Sequence, residues 1–206
     1  MRLARQVQSA SSEAEAQILV AHGHIAGLEK QQAAGEEPDK ATVDKVHKDS
    51  LAAALDALAL HRRLRDERGQ ANALYMVAQS YLVAQNGEFA ARFAIQAHSL
   101  FRGVADVRMQ GCTLLALAEA HRQCGRLDEA GKSARGALDR ARQCGDSVGA
   151  DSASKLLEFV TLVADAPPPP VGGWEAADED WLKAASKKHF QEKAEGKVVS
   201  VLRLKR

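Results

Sequence analysis

Aromatic residues make up only 4% of the 206 positions. That leaves little material for the inner faces of a β-sandwich, whereas abundant alanine favours closely packed helices. Cysteine is equally scarce. Cys112, Cys124 and Cys144 are an odd number without paired spacing, which argues against a disulfide framework and for a reducing intracellular compartment. The formal charge of +1 supplies no general argument for nucleic acid or an acidic surface. No run approaches the roughly 18–20 apolar residues that span a bilayer. A Gly-rich phosphate loop, HExxH and Gly-x-Ser-x-Gly are all missing, and no nucleophile–base constellation stands out. The expectation is therefore a chain without enzymatic activity, cofactor or metal. His22-Gly23-His24 directs its two rings to different sides of a helix and makes a poor metal pair.

The chain is long enough to bury a core and fits one domain plus a tail. Its strongest internal feature is a pattern written twice, forty residues apart, between Asp66 and Asp146. Ala78, Tyr81, Ala90, Ala94 and Ala97 answer to Ala118, His121, Ala130, Ala134 and Ala137, and Asp66, Asp106 and Asp146 mark the joints.

Helices are expected around this pattern. The first runs from a Ser12 cap to about Ala34, with Ile18, Leu19, Ile25 and Leu28 as its apolar stripe and Gly23 and Gly27 admitting a near neighbour. Gly35 and Pro38 end it. The second, Lys40 to about Asp66, carries Val43, Val46, Leu51, Leu55, Leu58 and Leu64. Its Ala54 and Ala57 precede Ala94 and Ala97 by forty residues, so it reads as the second helix of a divergent earlier repeat. Helices follow over about Gln70–Ala84, Glu88–Arg102, Val107–Cys124 and Leu127–Cys144. A last helix, about Val148–Ala164, keeps the joint but has Glu158 where Ala78 and Ala118 stand, and reads as a terminal cap.

The domain reading is an N-terminal extension at 1–11, frayed; a helical repeat domain at 12–165; a Pro/Gly linker at 166–173; and a tail at 174–206 with a short amphipathic helix and a basic end. The N-terminal stretch with Arg2 and Arg5 bears a faint likeness to an organelle transit peptide. An ordinary terminus is the plainer reading, and a cytoplasmic location is expected.

These residues resemble the tetratricopeptide repeat family. Ala78 and Ala118 occupy its small-residue position in the first helix, Tyr81 and His121 the aromatic position, and Ala90 and Ala130 the small position opening the second helix. Gly125-Arg126-Leu127-Asp128-Glu129-Ala130 is similar to the turn and helix start of such a unit. The forty-residue period is longer than usual, and neither copy has the early tryptophan or the closing proline. The resemblance implies an all-α fold of antiparallel hairpins stacked as a short right-handed solenoid.

It also implies a concave groove lined by the first helix of each pair, which takes an extended peptide or a partner helix. The groove positions would be Asn72, Tyr75, Gln79 and Leu82 in one copy and Cys112, Leu115, Glu119 and Arg122 in the next, extended by Lys155. The partner implied is another protein, with no small-molecule substrate and nucleic acid disfavoured. The expected function is an interaction scaffold or adaptor. A fixed subunit of a larger assembly, tethered through the tail, is the alternative reading, and an enzyme of unrecognised type a distant third. In the tail, Trp174, Trp181, Leu182 and Phe190 form a candidate anchor for a partner's groove or for this chain's own, with simple packing of a small helix as the plainer alternative.

Overall fold

The computed structural model describes residues 2–165, and all regular structure in that range is helical. The helices are α1 (Arg2–Ala33), α2 (Lys40–Leu64), α3 (Glu67–Val83), α4 (Gly87–Gly103), α5 (Val107–Gln123), α6 (Leu127–Cys144) and α7 (Ser147–Asp165). The chain divides into two units, Met1–Leu156 and Leu157–Arg206. The first holds α1 to α6 and the start of α7; the described part of the second is the end of α7. In the first unit each helix from α1 to α5 packs on the next, and α3 also touches α1 and α5. Short connections fold each helix back along its predecessor, so the unit is a stack of the hairpins α1–α2, α3–α4 and α5–α6.

Alanine sets the helix spacing. Ala54, Ala57, Ala78, Ala94, Ala97, Ala118 and Ala134 have no exposed surface, and a methyl group at each crossing lets two backbones approach. The forty-residue correspondence thus extends back into α2. In α1 the buried stripe is Ala14, Ala21, Ile25 and Leu28, with Ile18 half-buried. Leu19, expected in that stripe, is 71% exposed. The alanines hold the helical spacing that Leu19 breaks.

Three further expectations are corrected. Helix α1 begins at Arg2, so residues 2–11 are helical and Ser12 is internal to the helix. No glycine or proline interrupts that stretch, and a serine alone does not stop a helix. Gly23 and Gly27 look onto open space, with nothing near the place of a Cβ. Close approaches are at Gly69 and Gly87 instead, where a Cβ would meet the His61 ring and, at 2.5 Å, the Ala120 carbonyl oxygen.

The turns repeat as strictly as the alanines. Arg65, Ala105 and Gly145 adopt left-handed backbone at the three joints, and Gln85 and Gly125 do so at the opposite turns. After each joint an aspartate caps the next helix: Asp66, Asp106 and Asp146 accept from the backbone N–H of Gly69, Met109 and Gly149. Those bonds satisfy donors that a helix start otherwise leaves open. The joints are also tied to one another. Arg68 donates to Asp106 at 2.6 Å, and Arg108 stands 3.6 Å from Asp146.

Large side chains differ between the copies. Tyr81 stacks on Phe93 and Phe89, at ring-centroid distances of 5.6 and 5.2 Å, with His47 at 5.3 Å. Phe89 is 44% exposed, with the Arg92 guanidinium over its ring. Phe101 is fully buried at the end of α4, where α6 has Ala141.

Candidate binding face

Helices α1, α3 and α5, the first of each hairpin, lie side by side because the second helices pack behind them. Tyr75, midway along α3, touches all three core clusters of the first unit. Its hydroxyl accepts a 2.7 Å hydrogen bond from Gln79 Nε2, one helical turn on. Burial pushes the Tyr75 phenol up to about 12, aided by Cys112 on α5 and Glu29 on α1 and opposed by the Gln79 bond. Tyr75 is therefore a neutral hydrogen-bonding group. The same influences place α1, α3 and α5 residues within electrostatic reach of one another.

On α5, Cys112 is half-buried. Burial is the first cause that raises its thiol pKa and Asp146 the next, with Arg108 opposing. A thiol held protonated is a packing group and a poor nucleophile. Further along α5, Arg122 Nε donates to Glu119 Oε2 at 2.7 Å while its Nη2 donates to Glu119 Oε1. This fork on a carboxylate holds Arg122 above its ordinary range. Asn72 and Leu115 are half-buried on the same helices.

The structure thus joins Tyr75 to Gln79, and Glu119 to Arg122, and sets Cys112 near Tyr75. Leu82 goes elsewhere. It is only 9% exposed and belongs to the core with Ala78, Ala90 and Ala116. Seven residues past Tyr75 is nearly two whole turns, but the α3–α4 hairpin closes over that point, and the Leu82 carbonyl accepts from Gln123 at 3.1 Å. Lys155 is exposed on α7 and makes no hydrogen bond or ion pair among the described residues. The linker and the tail residues Trp174, Trp181, Leu182 and Phe190 lie outside the described residues.

Residue-by-residue reading missed Glu29 and the joint ladder of Arg68 and Arg108. The ladder was legible in principle, since both arginines stand two residues after a joint aspartate. His121, which answers to Tyr81 in the repeat, is half-buried; its Nδ1 has no hydrogen-bond partner among the described residues, and burial lowers its imidazole pKa. Among the described residues no group of three or more His, Cys, Asp or Glu side chains is placed to hold a metal ion. No described helix is long and apolar enough to cross a membrane.

No known protein-family model matches the chain, and no curated protein matches its sequence.

Proposed function

We propose that this chain is a non-enzymatic protein-interaction scaffold of tetratricopeptide-repeat type, which takes an extended peptide or a partner helix on the face formed by α3 and α5. The observation that carries this reading is the pairing of half-buried polar groups on two neighbouring first helices. Tyr75 with Gln79, and Glu119 with Arg122, present hydrogen-bonding atoms beside the apolar surface of Leu115. Such a mixture pins a peptide backbone through amide and hydroxyl groups while burying one or two of its side chains. Both pairs are already ordered within their own helices, which lowers the entropy cost of binding. The forty-residue correspondence of alanines, aspartate caps and left-handed turns supports the family reading.

Selection of peptides from a random display library against the whole chain tests the proposal. Selected peptides are expected to lose at least about tenfold in affinity against Leu115→Arg or Gln79→Ala. They should keep it against Leu55→Arg, a substitution at an exposed position on α2. Peptides indifferent to both α3 and α5 changes would move the binding site off this face.

A further inference from the structure

The two edges of the hairpin stack carry opposite charge. At the joints, over residues 61–68, 101–108 and 140–146, eight arginines accompany four carboxylates. At the turns within the hairpins, over residues 34–42, 84–90 and 123–130, six carboxylates accompany two cations. The joint carboxylates are mostly engaged internally. Asp66 lies 2.9 Å from His61 Nδ1 and caps α3, Asp106 takes Arg68, and Asp146 takes Arg108.

Six of the eight arginines are left without a carboxylate among the described residues, and three of them, Arg62, Arg102 and Arg142, recur at matching positions. They occupy the last turns of α2, α4 and α6, forty residues apart. All three are exposed, and none forms an ion pair among the described residues. The helix dipole favours a cation at each of these ends. It does not account for the surplus at the first joint, where Arg63 and Arg65 add to Arg62 within four residues. The arginines of the later joints also act on a titratable neighbour. Half-buried His98 is held below the usual imidazole range, first by burial, with a backbone hydrogen bond at Gln110 opposing and Arg102 on the same helix and Arg140 on α6 adding repulsion.

We propose that the joint edge docks an extended acidic peptide segment, whose carboxylates pair in turn with Arg62, Arg102 and Arg142. The guanidinium fork fits a carboxylate with two parallel hydrogen bonds. Neighbouring packed helices lie about 8–10 Å apart, so successive arginines are separated by no more than two such steps, an upper bound of roughly 20 Å. An extended chain covers that distance in about six residues. A nucleic-acid duplex fits less well: its closely spaced phosphates would meet Asp66 and Glu67 between the arginines, and the whole chain carries only +1. This edge is separate from the α3–α5 face, and its occupancy does not depend on the reading of that face.

The test is fluorescence anisotropy of the full chain with a labelled Gly/Ser peptide of about fourteen residues, carrying three Glu-Glu pairs about six residues apart. The variant Arg62→Gln/Arg102→Gln/Arg142→Gln is compared with Arg92→Gln/Lys132→Gln/Arg135→Gln, which removes the same charge at exposed positions away from the joints. The joint variant is expected to bind about tenfold or more weakly and the control within about twofold of the parent, with affinity falling as salt rises. Arg102→Gln alone should give an intermediate loss, and it decides the matter if the triple variant loses its helical circular dichroism. Absence of binding by the parent, or equal loss in both triple variants, would overturn the proposal. Duplex DNA binding more tightly through the same arginines would reassign the edge to nucleic acid. Self-association that depends on these arginines, without peptide binding, would reassign it to a second copy of the chain.

Discussion

Where Tyr81 stacks on Phe89 and Phe93 in the α3–α4 hairpin, the α5–α6 hairpin has His121, Glu129 and Ser133. Where Phe101 closes α4, Ala141 closes α6. Every buried residue of α6 is alanine or glycine. The helix crossings nevertheless match, because the alanines that set them are the same. The contrast separates two jobs within one repeat. Small residues at the crossings fix the distance between helices, and large residues beside them bury the apolar area that holds the hairpin together. In the first copy the large residues also reach both neighbours: Phe101 shares a cluster with Ala57 and Leu58 of α2, and Tyr81 and Phe93 pack on one that holds Ala116 and Ala120 of α5.

The largest expected effect tests what the copies share. Ala118→Arg inserts a long charged side chain at a fully buried crossing. It should cost more than about 4 kcal/mol and abolish a cooperative thermal transition followed by circular dichroism. An unchanged melt would sink the stacked-hairpin account of the second copy. Next, the difference in large residues predicts an asymmetry. Phe101→Ala should cost about 3–5 kcal/mol in urea unfolding. At the matching position, Ala141→Gly should cost only about 1 kcal/mol. Equal losses would mean that Phe101 contributes no more to its hairpin than Ala141 does.

A smaller pair of opposite sign sharpens the turns. Ala105 and Gly145 share left-handed backbone at matching joints. Ala105→Gly should stabilise, and Gly145→Ala destabilise, each by up to about 1 kcal/mol, because only glycine adopts that conformation without steric cost. Two changes in the same direction would show that the joints are not equivalent.

The smallest effect is a pH dependence with one histidine from each copy. Burial, as the first cause, lowers the pKa of His98 and of His121 below the ordinary imidazole value of 6.5. The unfolded chain then binds more protons than the folded one below that value. Their contribution to stability is full above pH 6.5 and is lost as pH falls through the folded values. His98→Gln and His121→Gln should each flatten the acid side of a midpoint-against-pH curve. A parent curve rising towards acid would reverse the assignment.

Much of the fold was legible because a repeat writes its packing twice. The alanines at matching positions, the joint aspartates and Gly145 point to helix crossings, caps and ends by local chemistry alone. Helix bounds from α2 to α7 fall within about three residues of those read from glycine, proline and capping signals. The start of α1 did not, since a serine is compatible with either a cap or a helix interior and only context chooses. The candidate face was legible in part. Tyr75, Gln79, Cys112 and Glu119 do sit on the first helices, half-buried. Leu82 was misplaced, because one helix's periodicity does not reveal where its hairpin partner closes over it.

By itself, the sequence determined the helical class, the hairpin count in the repeated stretch and the caps, because these follow from residues acting on near neighbours. Tertiary structure alone decided which contacts join one repeat to the next: Arg68 to Asp106, Gln123 to the Leu82 carbonyl, and Arg102 and Arg140 around His98. Except for Arg102, which shares α4 with His98, these partners lie on different helices, and their meeting depends on how far one hairpin is displaced against another. Displacement is set by the summed packing of many alanines, which no single residue or local spacing encodes.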